Sequence, residues 1–154
     1  MSGTLTIEPL APAHKPDWLR LYAGYAAFYH APLGSQGAEA VWGWLNDPGH
    51  VFEGLVARKE GRLVGLVHFR AMPSPLRACE IGFIDDLFVD PEGRGSGAAE
   101  ALIEGVYAVA MARGWPLVRW ITGDDNYRAR AVYDRIAVKT RWNLYEKKFD
   151  PSAY

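Results

Sequence analysis

The stretch that most constrains the fold is DDLFVDPEGRGSGAAEAL, residues 85–102. Residues of strand-like composition run into a proline and then into Gly93, Gly95 and Gly97, and an alanine-rich helix follows at once. At such a junction the backbone N–H groups point outward, the helix dipole adds partial positive charge, and glycines let the backbone approach an anion closely. Arg94 adds a fixed positive charge. The junction therefore predicts a site for a phosphate or pyrophosphate.

Two common phosphate-binding motifs do not fit this stretch. A P-loop needs a lysine after its second glycine, and no lysine occurs here. A dinucleotide fingerprint needs a third glycine in G-x-G-x-x-G, which this sequence lacks, and an acidic ribose partner is not obvious. On the glycines alone, a simple tight turn is as good an interpretation as an anion site.

Hydrophobic periodicity predicts elements in the order β-α-α-β-β-β-α-β-α-β. The predicted strands are residues 4–10, 50–60, 62–72, 78–90, 116–122 and 141–149, and the predicted helices are residues 16–30, 38–47, 96–114 and 125–137. Ser35 and Asp125 are the predicted N-cap residues of the second and last helices, and Gly114 ends the third. An antiparallel meander combined with βαβ crossovers implies an α/β fold, with one mixed sheet and helices on both faces.

Length and charge narrow the class of protein. A chain of 154 residues fits one domain, residues 1–154, and no linker or repeat divides it. The net charge of −1 and the scattered basic residues argue against nucleic acid or a membrane as partners. The sequence has no signal-peptide pattern and no apolar run approaching the roughly 20 residues that span a bilayer. Its single cysteine cannot form an internal disulfide, so we expect a cytoplasmic protein.

At two places the chain resembles the GNAT superfamily of N-acyltransferases. RGSGAA, residues 94–99, matches R-x-x-G-x-[GA], the acyl-CoA pyrophosphate loop of that family, and the preceding LFVDPEG is similar to the family's strand end. Asn126, Ala129 and Tyr133 match its N-x-x-A-x-x-x-Y helix. Element order agrees along essentially the whole chain, and details resemble the histone/polyamine acetyltransferase-like branch. The resemblance implies the GNAT fold and acetyl-CoA as co-substrate.

The resemblance also implies which residues bind acetyl-CoA. Backbone groups of Leu87, Phe88 and Val89, at the end of the fourth strand, would pair with the pantetheine arm like an added strand. Asn126 would hydrogen-bond the pantetheine, and Ala129 would leave room for it. The pyrophosphate would be held by Arg94, Gly95, Ser96, Gly97, Ala98 and Ala99.

Direct acetyl transfer to an amine needs a base for the amine proton and an acid for the departing thiolate. By the resemblance, Tyr133 is the acid. Glu80, Asp85 and Asp86 are candidate bases, and Asp85 is preferred because it matches the glutamate of the polyamine acetyltransferase pattern. Side chains alternate along a strand, so only one of Asp85 and Asp86 can face the cleft unless the strand contains a bulge.

Acceptor recognition is expected from the first helix and the loop after it. Tyr25, Tyr29, His30 and Trp44 could line the acceptor cleft, where aromatic rings hold cationic amines by cation–π contacts. Their helical spacing is, however, more typical of core residues. His30 and His68 are further candidate bases, although a lone histidine is more often structural. No His, Cys or Asp cluster has metal-ligand spacing, so no metal is predicted.

The predicted function is acetyl-CoA-dependent transfer of an acetyl group to a primary amine of a small molecule, namely a polyamine, a diamine or an amino-acid-like amine. Two alternatives stay open: a protein lysine or N-terminal acetyltransferase, and an acyl-CoA-binding regulatory module without turnover. Tyr133 and the acidic pair argue against the module, since a binder needs neither. Many family members have Gly-Phe where this chain has Ala137-Val138. The position of the closing strand, and the homodimer that this strand often supports in the family, therefore stay open.

Overall fold

The computed structural model describes residues 3–150 and residue 152. Its strands are β1 Leu5–Pro9, β2 Phe52–Lys59, β3 Arg62–Ser74, β4 Cys79–Val89 and β5 Val118–Trp120, and its helices are α1 Lys15–Phe28, α2 Gly34–Leu45, α3 Ala98–Arg113 and α4 Tyr127–Ile136. Within the described residues the strands form one sheet in the order β1-β2-β3-β4-β5, in which β4 and β5 are parallel and the other neighbouring pairs are antiparallel. The predicted mixed α/β fold is confirmed.

The chain divides into two compact units. The first ends at Ile121 and contains the sheet with α1, α2 and α3, and the second begins at Thr122 and contains α4. The assignment of residues 1–154 to a single domain stays a prediction. None of the helices within the described ranges combines the length and the apolar composition that crossing a bilayer would require.

Helices pack on both faces of the sheet because strand side chains alternate. Val56 of β2 and Leu66 of β3 are paired in register and pack into one buried cluster with Trp18 of α1. The adjacent Leu55 points to the opposite face and lies 2.9 Å from where a Cβ would stand at Gly105 of α3. Helices α1 and α2 therefore cover one face, and α3 covers the other.

The predicted closing strand at residues 141–149 is wrong within the described part of the chain, where this segment is irregular. A strand needs a neighbour for its backbone groups and a surface on which to bury alternate side chains. The apolar side chains of this segment are mostly exposed: Trp142 by 84%, Leu144 by 68%, Tyr145 by 89% and Phe149 by 109%. The homodimer that such a strand would support stays a prediction.

Both predicted N-cap residues are also wrong. Helix α2 begins at Gly34, so Ser35 lies inside its first turn, and Leu33 occupies the N-cap position. In α4 the cap is Asn126 rather than Asp125, because Asn126 Oδ1 accepts a hydrogen bond from the N–H of Ala129. Gly114 does end α3, with a left-handed φ of 76°, as predicted.

Replacing Gly93 with alanine is expected to lower the free energy of unfolding by about 1–3 kcal/mol through overpacking. A Cβ at Gly93 would stand 2.7 Å from the Cβ of Val64 and 3.0 Å from Cγ1 of Val89, and a backbone-anchored Cβ cannot swing away. Urea denaturation measures the change. Gly43→Ala is the control: this exposed glycine of α2 has nothing within 4 Å of an added Cβ, and helix propensity predicts a gain of up to about 1 kcal/mol. Equal effects of the two substitutions would contradict the packing argument.

Candidate active site

A bulge in β4 separates the two members of the acidic pair. In the β3–β4 register, His68 lies opposite Asp86, but the next residue, Phe69, lies opposite Ile84. Asp85 is therefore an extra residue without an opposite partner, as in a β-bulge. The alternation that would send adjacent side chains to opposite faces is interrupted at this point.

Both carboxylates consequently face α1. Asp86 contacts His68, and Asp85 Oδ2 accepts a hydrogen bond from Arg70 Nε at 2.8 Å. His68 and Arg70 are two residues apart on β3 and so share one face of the sheet. Tyr22 of α1 also bonds Asp86, which identifies this face as the one that α1 covers.

Asp86 ends a buried chain of hydrogen bonds. Trp18 Nε1 donates to His68 Nε2 at 2.9 Å, and His68 Nδ1 lies 2.8 Å from Asp86 Oδ2. An indole N–H can only donate, so His68 Nε2 must be unprotonated and the ring proton must sit on Nδ1, from which it is donated to Asp86. His68 is 1% exposed and both its nitrogens are occupied. It is therefore a structural histidine here and not a base that an acceptor could reach.

Asp86 is held as a fixed negative charge. Burial raises the pKa of Asp86, but the hydrogen bonds from His68, Tyr25 and Tyr22 outweigh it and keep this pKa below its usual value. Burial and the nearby carboxylate raise the pKa of both tyrosines. The phenols therefore stay protonated, and Asp86 stays ionised.

Asp85 differs electrostatically from its neighbour. Burial raises the pKa of Asp85, and the hydrogen bond and charge of Arg70 only partly offset this, while the charge of Asp86 raises it further. The Asp85 side chain is 23% exposed. A carboxylate with a raised pKa is the better proton acceptor, and two adjacent carboxylates with opposite shifts are suited to different roles.

The far end of β4 offers an open edge. β5 pairs with β4 only at Gly82–Ile84, whereas β4 runs on to Val89 while staying paired to β3. In the described sheet, the residues from Leu87 to Val89 have a strand neighbour on one side alone, so an extended ligand could add along the other. Phe88 is packed against Tyr25, with ring centroids 6.2 Å apart, which fixes this end of the strand.

The glycine-rich junction has the backbone geometry of an anion site. Gly95 and Gly97 have φ of 78° and 81°, which L side chains rarely adopt. Gly97 is the N-cap of α3 and provides no capping side chain, so the helix begins without the usual oxygen acceptor for its first N–H groups. Arg94 is exposed and has no ion-pair partner among the described residues. These features fit a pyrophosphate group.

The base of this loop is anchored by a buried carboxylate. Asp90 is 6% exposed and accepts hydrogen bonds from the N–H of Gly93 at 2.8 Å and from Arg20 Nη1 at 3.1 Å. Ser96 Oγ donates to the carbonyl of Gly93. The loop is therefore held in shape before any ligand binds.

Helix α4 carries the second predicted motif. Asn126 Oδ1 caps the helix through Ala129 N–H, and Asn126 Nδ2 lies 3.4 Å from Thr122 Oγ1. Tyr133 lies two turns further along the same helix face and is half-buried. The contacts of Asn126, Ala129 and Tyr133 with the co-substrate stay predictions.

Two of the predicted acceptor residues lie close to the acidic pair. Tyr25 stacks on Tyr22, with centroids 5.8 Å apart and planes 7° apart, and Tyr29 meets Tyr25 edge-on at 5.0 Å. Tyr29 is 48% exposed. Trp44, in contrast, stacks on His50 at 5.3 Å. The aromatic surface next to Asp86 is thus formed by successive turns of α1.

His30 has a structural explanation for its position. Its φ of 53° is left-handed, its N–H bonds to Ala27, and Ala31 N–H bonds to Ala26. This pair of bonds is the Schellman motif that ends α1, with histidine where glycine is usual. Its role toward an acceptor stays a prediction.

The sequence matches the acetyltransferase (GNAT) family over residues 18–137. The chain belongs to the GNAT acetyltransferase family. Its predicted class, an acetyl-CoA-dependent N-acetyltransferase, is confirmed at this level. The open edge of β4 and the N-terminus of α3 have the backbone geometry expected of an acetyl-CoA site, and the residues that bind it stay a prediction.

Similar proteins cover almost the whole chain. D-amino-acid N-acetyltransferase HPA3 of Saccharomyces cerevisiae is 27% identical over 149 residues, which span 96% of this chain and 92% of that protein. The crystal structure of ribosomal-protein-alanine N-acetyltransferase from Brucella melitensis biovar Abortus 2308 has a TM-score of 0.80 at 27% identity, covering 95% of this chain and 99% of that one. Aminoglycoside N-acetyltransferase AAC(6')-Iy in complex with CoA shares the fold, with a TM-score of 0.81, 17% identity and coverage of 97% and 98%.

Sequence reasoning missed three residues of this GNAT site. Trp18 and Tyr22 stand at positions of α1 that hydrophobic periodicity assigns to the core, so the pattern does not indicate their hydrogen bonds to His68 and Asp86. Arg70 belongs to no motif, and only the β3–β4 register places it beside Asp85. Within the described ranges, no three His, Cys, Asp or Glu side chains are grouped as a metal site would require.

Replacing Asp86 with asparagine is expected to lower the free energy of unfolding at pH 7 by about 1–2 kcal/mol, through loss of charge-assisted hydrogen bonds. Because the pKa of Asp86 is lowered on folding, its ionised form stabilises the protein above the unfolded-state pKa, about 3.9, and this contribution disappears as pH falls through the folded-state value. The cost of Asp86→Asn should therefore shrink at acidic pH. Urea denaturation at several pH values measures it, with the exposed Asp134→Asn as control. A cost that does not change with pH would contradict the assignment.

Proposed function

We propose that this GNAT acetyltransferase transfers an acetyl group from acetyl-CoA directly to the primary amine of a small molecule. The observation that carries the proposal is the bulge that brings Asp85 and Asp86 to one face of the sheet with opposite pKa shifts. An alkylamine arrives as a cation and must lose a proton before it can attack. Asp86, whose pKa is lowered, is ionised at neutral pH and attracts the cation, and Asp85, whose pKa is raised, takes the proton.

Each residue of the site has its own part in the reaction. Acetyl-CoA supplies the acetyl group as a thioester, and the nitrogen lone pair forms the new C–N bond as the C–S bond breaks. Asp85 receives the amine proton, and Asp86 stays ionised throughout. Tyr133 gives its hydroxyl proton to the departing thiolate, a role that its match to the family motif supports. The acylated nitrogen then loses its second proton, which restores the Tyr133 hydroxyl. The backbone from Leu87 to Val89 and the loop at residues 94–99 bind the co-substrate.

A protein N-terminal amine is the second candidate acceptor. The similarity to a ribosomal-protein-alanine N-acetyltransferase favours it, at 27% identity and near-complete coverage. The similarity to a D-amino-acid N-acetyltransferase, also at 27% identity, favours a small amine. The two acceptors differ in the size of the group attached to the reactive amine: a peptide chain in one case, and a small group in the other.

Release of CoA thiol, measured with purified protein and acetyl-CoA, separates these acceptors. The panel holds polyamines, diamines, both enantiomers of several amino acids, aminoglycosides, a lysine peptide and a peptide that begins with alanine. We expect amine-dependent release with a small amine. Release with the peptides alone would support the second candidate. No release with any amine, despite tight acetyl-CoA binding by calorimetry, would contradict the proposal.

Replacing Tyr133 with phenylalanine is expected to lower kcat by about 100-fold or more, the usual contribution of a general acid. The dissociation constant for acetyl-CoA should change little, because the ring is retained and only the hydroxyl is lost. Steady-state kinetics and calorimetry measure the two quantities on one preparation. A parallel loss of turnover and affinity would rule out a specific acid role.

Replacing Arg94 with alanine is expected to raise the KM for acetyl-CoA by about 10-fold or more, since a charge-assisted hydrogen bond contributes about 1.5–3 kcal/mol. The value of kcat should change little, because Arg94 would contact the pyrophosphate and not the reacting atoms. Arg77→Ala is the matched control: it removes the same charge from an exposed turn before β4. An unchanged KM in Arg94→Ala would remove Arg94 from the phosphate site.

A further inference from the structure

We propose that Arg70 binds the carboxylate of the acceptor, and that the acceptor is accordingly a free α-amino acid. This inference rests on the proposed function, since it places the reactive amine at the acidic pair. Arg70 belongs to none of the family motifs, and a carboxylate contact with it would disfavour polyamines, diamines and peptide N-termini as acceptors.

Among the described residues, only one of the three guanidinium nitrogens of Arg70 has a hydrogen-bond partner. Its Nε donates to Asp85 Oδ2 at 2.8 Å, whereas neither terminal nitrogen has a partner among the described residues. The side chain is 32% exposed. An arginine has five N–H donors in a planar fork that matches a carboxylate bidentately. The four N–H groups on the terminal nitrogens of Arg70 therefore remain for a ligand.

The orientation of Arg70 is fixed from two directions. The hydrogen bond to Asp85 holds its Nε edge, and the ring of Phe83 lies under its guanidinium, 4.9 Å from carbon to ring centroid. Phe83 is paired with Arg70 across the β3–β4 register, so the contact follows from the strand pairing. A guanidinium stacked on an aromatic ring loses little further freedom when it binds an anion.

The charges on this face match a zwitterion. Asp85 and Asp86 provide negative charge, and Arg70 provides positive charge directly beside Asp85. The neighbouring His68 adds no free positive charge, because it is buried with its single ring proton donated to Asp86. Arg20 and Arg62 are paired with Asp90. An α-amino acid carries its ammonium and its carboxylate on one carbon atom, so it can meet Asp85 and Arg70 together. A polyamine carries only positive charges, and Arg70 would repel it.

The same contacts separate a free amino acid from a peptide. In a peptide the first residue has an uncharged amide where the amino acid has a carboxylate. A site that binds a charged group by charge-assisted hydrogen bonds discriminates against an analogue that lacks this group, because those hydrogen bonds to Arg70 are then not formed. Arg70 should therefore act mainly on KM, while Asp85 receives the proton as in the proposed function.

The test compares phenylalanine, in both enantiomers, with phenethylamine, which is the same amine without the carboxylate. Removal of Arg70 also alters Asp85, since Arg70 lowers the pKa of that carboxyl, and this affects both acceptors alike. The ratio of their kcat/KM values cancels the common effect. We expect the wild type to prefer one phenylalanine enantiomer over phenethylamine by about 10-fold or more, as one charge-assisted contact provides.

In Arg70→Met this ratio should fall to about one, through a higher KM for phenylalanine, while Arg70→Lys should retain part of it because the charge remains. Arg77→Met, which removes an exposed arginine, should leave the ratio unchanged. A wild type that acetylates phenethylamine or spermidine but no amino acid would overturn this inference and leave the proposed function intact. An unchanged ratio in Arg70→Met would overturn it as well. Failure of every acceptor would overturn both.

Discussion

In β4 the residue Asp85 has no opposite residue in β3, and the acidic site depends on this interruption of the pleat. A regular strand would turn one of the two adjacent carboxylates toward the face that α3 covers, where it would be a buried charge without a partner. The bulge instead places both on the α1 face, beside Arg70 and His68. Because of this one additional residue in β4, the side chains of two residues adjacent in sequence lie in the same site.

The chain of hydrogen bonds from Trp18 through His68 to Asp86 gives the pair its asymmetry. Each of its buried side-chain polar atoms has a partner, so the histidine and the carboxylate are tolerated beside an apolar cluster. The same contacts join α1 to β3 and β4. They hold the pKa of Asp86 down while burial raises that of Asp85, so that two identical side chains are electrostatically distinct. The same hydrogen bonds therefore both hold α1 against the sheet and lower the pKa of Asp86.

Local features were the most predictable from sequence. The glycine-rich junction before α3 and the stop at Gly114 depend on backbone conformations that few residues other than glycine adopt, and they were placed correctly. The closing strand was not, because a strand is defined by its neighbour, and the apolar side chains of residues 141–149 are exposed. The caps differed for two reasons. Helix α2 begins after Leu33 without any side-chain cap, and at α4 Asn126 caps the helix in place of the adjacent Asp125.

The sequence by itself determined the family, the order of the elements along the chain from β1 to α4, and the two motifs expected to bind acetyl-CoA. These features depend on residue type and spacing within short segments. It also named Asp85 and Asp86 as a pair. Only the tertiary structure decided that both face α1, that both ring nitrogens of His68 are hydrogen-bonded, and that Arg70 lies beside Asp85. Trp18 is 50 residues from His68, and Arg70 is 15 from Asp85. The first contact follows from the packing of α1 on the sheet, and the second from the strand register, which a single bulge can shift.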